Sequence, residues 1–152
     1  MSIQILPRLW IATDISILKN KDFFMANNIK YVINLTYDIP NYFRNITYFN
    51  VPFSGEKIIE SEMPMSMDQL FDVINKFITQ GYNYGIGILI HDKSGKLSSL
   101  FATGFLIGKL KISLKDTCDY LSIHGLKNIE YIINNEHLKN YEKKKINGYC
   151  SI

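Results

Sequence analysis

Cysteine is scarce in this 152-residue chain, with Cys118 and Cys150 as its two. They show neither metal-binding nor redox spacing, and two cysteines make no disulfide framework, so a reducing compartment is expected. Arginine is nearly absent: Arg8 and Arg44 stand alone within a Lys+Arg total of 17. The net charge is only +3 and no stretch interleaves arginine with aromatics, which excludes nucleic acid as an expected partner. No apolar run reaches the roughly 20 residues of a membrane span. Met1 to Trp10 lacks the basic start and apolar core of a secretory leader. The expectation is a cytoplasmic protein that is not secreted and not membrane-bound, small enough to enter the nucleus as well. His124 and His137 are isolated, so no metal site is expected. Asn34-Leu35-Thr36 and Asn45-Ile46-Thr47 match the glycosylation acceptor pattern, but without a leader in an asparagine-rich chain they read as chance.

What remains is ordinary globular material, 47% hydrophobic and 20% charged. No repeat, linker or low-complexity segment divides it, so one domain over residues 1–145 with a short tail at 146–152 is expected. Ile3-Gln4-Ile5 and Leu9-Trp10-Ile11 flank Pro7 as two short strands around a turn. Ser16 to Asn27 suits one helix, Tyr31 to Thr36 a strand, and Thr47 to Phe53 another. Ser66 and Gln69 form a capping box ahead of a helix that Gly81 is expected to stop in a left-handed cap. Ser113, with Asp116 at N3, caps a further helix whose Leu114, Cys118 and Leu121 share a face, and Gly125 ends it. Asn128 to Lys145 reads as a single closing helix whose Lys143-Lys144-Lys145 end is solvated. Trp10, Phe101 and Phe105 read as core. Alternating strands and helices argue for an α/β layer fold with a mostly parallel sheet.

The stretch from Gly85 to Gly108 organises the rest. Ile86 to Ile90 is a short buried-strand run, His91 to Lys96 a polar loop containing Gly95, and Ser98 to Lys111 an apolar stretch of helical length. Strand, tight loop and helix aim backbone N–H groups and a helix N-terminus at one point, which is an anion site.

This loop resembles the signature of the cysteine-dependent dual-specificity protein phosphatases, H-C-x-x-G-x-x-R-S. The corresponding residues are His91-Asp92-Lys93-Ser94-Gly95-Lys96-Leu97-Ser98-Ser99. His91, Gly95 and Ser99 match. Asp92 stands at the nucleophilic cysteine position and Ser98 at the phosphate-gripping arginine position. The resemblance continues along the chain. Asn28 to Thr36 is similar to the family's second strand, Val51-Pro52-Phe53 to its strand exit, and the Ser113 helix to its S-x-x-(E/D)-A helix. Asn128, Leu138, Tyr141 and Glu142 match its closing segment. It implies an α/β fold with a mostly parallel central sheet of roughly four to five strands flanked by helices.

In the family a thiolate attacks phosphorus, the arginine stabilises the transition state, and an aspartate from a separate loop protonates the leaving oxygen. Here Asp92 is a carboxylate that repels a phosphate dianion by several kcal/mol within about 4 Å at intermediate dielectric. Ser98 offers one neutral donor instead of a guanidinium. The acid-loop equivalent, Ser54-Gly55-Glu56, has no aspartate, and Glu56 is its nearest acid. The implied protein is a pseudophosphatase that uses no cofactor. It would act as a binding or scaffold module for a protein partner, such as a phosphoprotein or signalling component, as a monomer or homodimer. A phosphate reader drawing on Lys93 and Lys96 is the alternative, and an active enzyme with an altered nucleophile the third reading. Asp92 is expected to turn inward and accept the loop N–H groups as a built-in anion. His91 is expected to brace the loop, and the Ser99 hydroxyl to satisfy amides at the helix start.

Overall fold

β-branched runs between helical segments build a five-stranded sheet in the order β1-β2-β5-β3-β4 in the computed structural model, which describes residues 2–55 and 57–147. Strands β1 (Ser2–Leu6) and β2 (Leu9–Ala12) form an antiparallel hairpin around Pro7 and Arg8. β3 (Ile29–Asn34), β4 (Thr47–Asn50) and β5 (Gly87–His91) are parallel, and β2 runs parallel to β5. The mostly parallel α/β architecture expected from the sequence is therefore present.

Period-two alternation sorts the side chains between two cores. Leu9, Ile11, Tyr31, Ile33, Ile88 and Ile90 enter the larger one. Ala12, Val32 and Leu89, from the same strands, enter the smaller one on the opposite face. Because β5 is central and covered on both sides, all its residues are buried, the pattern that parallel strands impose.

The smaller core is covered by α1 (Ile15–Leu18) and α2 (Lys21–Ala26) through Leu18 and Phe24. The single helix expected over Ser16 to Asn27 is thus two. Asn20 turns its side chain to accept from Phe23 N, starting a new helix where the old one would have continued. The larger core is covered by α3 (Met67–Asn83), α4 (Lys96–Gly108), α5 (Leu114–Ile123), α6 (Ile129–Ile133) and α7 (Glu136–Glu142). Phe101 and Phe105 are buried there, while Trp10 packs partly buried against the smaller core.

The Ser66–Gln69 capping box opens α3 as expected. Gly81 does not end it. The helix continues to Asn83, and the left-handed residue is Gly85 (φ 70°). Gly81 instead lets α3 lie against the sheet, since a Cβ there would come within 2.8 Å of Ile88. Strand β3 is shifted towards Ile29 and ends at Asn34, and β4 stops at Asn50, short of Pro52, which has no N–H to give. The closing segment is also divided, because Asn135 caps α7 through Leu138 N. Ser113 caps α5 as read, and Glu142 adds a second acceptor, its carboxylate taking Leu114 N at 2.7 Å from the far end of the chain. The lysine end is not simply solvated: Lys144 pairs with Asp68, and Lys145 lies 3.0 Å from Asp72. Ile146, in the wide turn Lys143–Asn147, packs partly buried on the larger core. Residues 148–152, including Cys150, lie outside the described residues.

Candidate active-site loop

β5 ends at His91 and α4 begins at Lys96, so the intervening residues must reverse the chain over the C-terminal edge of the sheet. Gly95 makes this possible. It is the residue preceding α4, with φ 86°, a conformation costing an L-residue about 1–2 kcal/mol. A Cβ there would also sit 3.0 Å from Thr13 Cγ2 and 3.2 Å from Asn128 Nδ2. Gly95→Ala is expected to lower unfolding stability by about 2–3 kcal/mol, read from the urea midpoint. A loss below 0.5 kcal/mol would mean that the loop does not need this backbone conformation.

Asp92 fills the cradle. Its Oδ1 accepts from Gly95 N (3.0 Å), Ser98 N (3.3 Å) and Ser98 Oγ (2.5 Å). Its Oδ2 accepts from Leu97 N (3.1 Å), with a long 3.4 Å contact from Ser94 Oγ. Lys96 N donates to Ser94 Oγ at 3.2 Å, and Ser99 N makes the first intrahelical bond, to Gly95 O at 3.0 Å. The free N–H groups at the start of α4 are therefore satisfied from within the loop. Asp92 is 3% exposed, and its carboxylate performs the anion's part itself. The inward turn anticipated from the sequence is the geometry observed.

Ser98 is fully buried and is part of the plug. Ser99 differs from expectation: among the described residues its hydroxyl accepts no amide, and it donates to Gly95 O at 2.5 Å, bracing the turn from behind. Both lysines have partners outside the loop. Lys93 is paired with Asp38 and lies over the Tyr37 ring, and Lys96 lies 5.7 Å from the centre of the Tyr131 ring.

His91 is buried, and its Nδ1 has no hydrogen-bond partner among the described residues. Burial lowers its pKa from 6.5 to about 4. The folded state keeps the ring neutral while the unfolded chain takes a proton below pH 6.5. Stability is thus lost as pH falls from 6.5 towards 4, by up to about 3 kcal/mol, and no further below that. The measurement is wild type minus His91→Gln in urea unfolding between pH 4 and 7, which removes the common effect of carboxylates. A pH-independent difference would refute the assignment.

A cleft of about 230 Å³ opens above the plug, lined by Leu35, Thr36, Tyr37, Phe53, Ser54, Gly55, Asp92, Lys93, Ser94 and Leu97. Ser54 and Gly55 of the acid-loop equivalent thus reach the site, while Glu56 lies outside the described residues. The β3 side of the cleft was not foreseen. Asn34 is buried and its Oδ1 accepts both Thr36 N (3.0 Å) and Thr36 Oγ1 (2.6 Å), while its Nδ2 donates to Ile39 O (2.8 Å). This network fixes the turn that presents Leu35 to Tyr37. Its sequence signal was an asparagine closing a β-prone run two residues before a threonine, a local turn pattern hidden behind the glycosylation match. Among the described residues no group of three His, Cys, Asp or Glu gathers as a metal site, and no helix is long and apolar enough to cross a membrane.

No family model matches the chain. Human dual specificity protein phosphatase 7 is 30% identical over 125 residues, covering 78% of this chain and 28% of its own length. The chain thus spans under a third of that curated relative. Among solved structures, human DUSP28 superposes with a TM-score of 0.73 at 14% identity, covering 93% of this chain and 95% of that one. The human tyrosine phosphatase-like serine/threonine/tyrosine-interacting protein superposes with a TM-score of 0.71 at 17% identity, covering 98% and 97%. The sheet order, the strand–loop–helix cradle and the sequence relationship agree: the chain has the dual-specificity phosphatase fold and is related in sequence to that family.

Proposed function

We propose that this domain is a pseudophosphatase: it binds a protein partner through the phosphatase fold and does not hydrolyse phosphoesters. The observation that carries this reading is the Asp92 carboxylate seated on Gly95 N, Leu97 N and Ser98 N, where a substrate phosphate would need those donors. A thiolate nucleophile is missing at this position, and Ser98 spends its hydroxyl on Asp92. An aspartyl-phosphate route asks for a cation beside the carboxylate, and among the described residues no group of three His, Cys, Asp or Glu gathers to hold one. The phosphate-reader alternative loses support because Lys93 is committed to Asp38.

The test is turnover. Purified protein is expected to hydrolyse p-nitrophenyl phosphate and phosphotyrosine peptides no faster than a buffer blank. Titration with sulfate or phosphotyrosine is expected to give no saturable heat. Turnover by wild type that vanishes in Asp92→Ala would overturn the proposal, and saturable phosphotyrosine binding would favour the reader.

A further inference from the structure

We infer that the cleft above Asp92 receives an unphosphorylated tyrosine side chain of a protein partner, and that phosphorylation of that tyrosine prevents docking. This rests on the non-hydrolysing reading above, and gives the partner of that same site a chemistry.

Three features of the cleft support it. Its walls are largely apolar, with Leu35, Phe53 and Leu97 lining it and Tyr37 at an exposed rim. Phe53 is backed by Phe101, with ring centres 6.0 Å apart, so this wall is anchored in the core. At about 230 Å³ the space is smaller than the roughly 300–1,000 Å³ of sites for drug-sized ligands and suits a single aromatic side chain.

The floor is polar, and its Asp92 carboxylate only accepts. Asp92 Oδ1 is taken by three donors, whereas Oδ2 has one amide at 3.1 Å and the long Ser94 contact at 3.4 Å. Oδ2 is therefore the oxygen with remaining capacity for an incoming O–H. A tyrosine combines an apolar ring for the walls with one donor for this oxygen.

Charge excludes the phosphorylated form. The loop amides that would bind a dianion are already bound to Asp92, and the carboxylate itself opposes a second anion. Lys93 lies at the cleft but is paired with Asp38, so it does not reverse this balance. The positions that make the family loop a phosphate trap here make the cleft accept the dephosphorylated side chain.

The experiment compares p-cresol with phenyl phosphate by titration of isotope-labelled full-length chain, read from amide NMR shifts. For wild type, p-cresol is expected to shift Leu35, Thr36, Ser94 and Leu97 saturably, with phenyl phosphate at least 10-fold weaker. Asp92→Ser, which removes the carboxylate, is expected to reverse that order. Phe53→Ala, which alters the wall but no charge, is expected to weaken p-cresol binding at least 3-fold, and this arm stands even if Asp92→Ser does not fold. Phenyl phosphate binding to wild type as tightly as p-cresol, or p-cresol causing no saturable shift at these amides, overturns the inference. Because these readouts are binding and not turnover, such a failure leaves the pseudophosphatase reading intact. Hydrolysis of phenyl phosphate during the titration would instead overturn that reading.

Discussion

Replacing Asp92 with alanine is expected to destabilise the domain by about 3–5 kcal/mol. Hydrogen bonds to a charged group contribute about 1.5–3 kcal/mol each, and buried donors left without acceptors cost about 1–3 kcal/mol each. Asp92 accepts from Gly95 N, Leu97 N, Ser98 N and Ser98 Oγ, which sums to more than the expected loss. The cleft opens directly above, so water can enter the vacated cradle and recover part of it. The urea midpoint should fall with an unchanged m-value. Sulfate is then expected to stabilise the alanine variant by occupying the freed amides and to leave wild type unaffected. A loss under 1 kcal/mol, or equal stabilisation of both proteins by sulfate, would show that Asp92 is not the loop's structural anion.

The second large effect is a gain. Asp92→Cys combined with Ser98→Arg is expected to create p-nitrophenyl phosphate hydrolysis, at least 100-fold faster than Asp92→Cys alone. The loop amides lower the pKa of a thiol placed on them, supplying the nucleophile. Ser98 already faces the cradle, its Oγ 2.5 Å from Asp92 Oδ1, so a side chain extending from that position leads over the phosphate site. A guanidinium there supplies the planar fork for equatorial oxygens, and loss of one such stabilising donor typically costs 10²–10³ in rate. Steady-state rates of wild type, both single variants and the double variant decide the matter. Equal inactivity of all four would place the loss of chemistry also in the cleft or the acid loop, and not only at these two positions.

Both predictions concern a loop that was legible in the sequence before its geometry was known. His91, Gly95 and Ser99 in register, after an isoleucine-rich strand and before an apolar helix, located the cradle. The residues at 92 and 98 named the carboxylate and the hydroxyl that meet inside it. The capping box at Ser66, the Ser113 cap and the central strand were legible for a related reason, since each is a local pattern whose partners lie within four residues.

Helix boundaries were less legible where asparagines compete with the backbone. Asn20 and Asn135 each divided a segment whose apolar spacing suggested one helix, because a side-chain cap and a helix interior compete for the same residues. Gly81 was misread because its role is set by Ile88, a packing contact between α3 and β5 that helical periodicity does not encode.

By itself, the sequence determined the layer architecture, the phosphatase-like fold, and the identity of the anion-site residues, because periodicity and local motifs encode them. Only the tertiary structure decided that Asp38 pairs with Lys93, that Glu142 caps α5, and that Leu35, Phe53 and Leu97 converge on an apolar cleft above Asp92. Those contacts join residues far apart in the chain, and packing of the whole sheet against its helices is what brings them within reach.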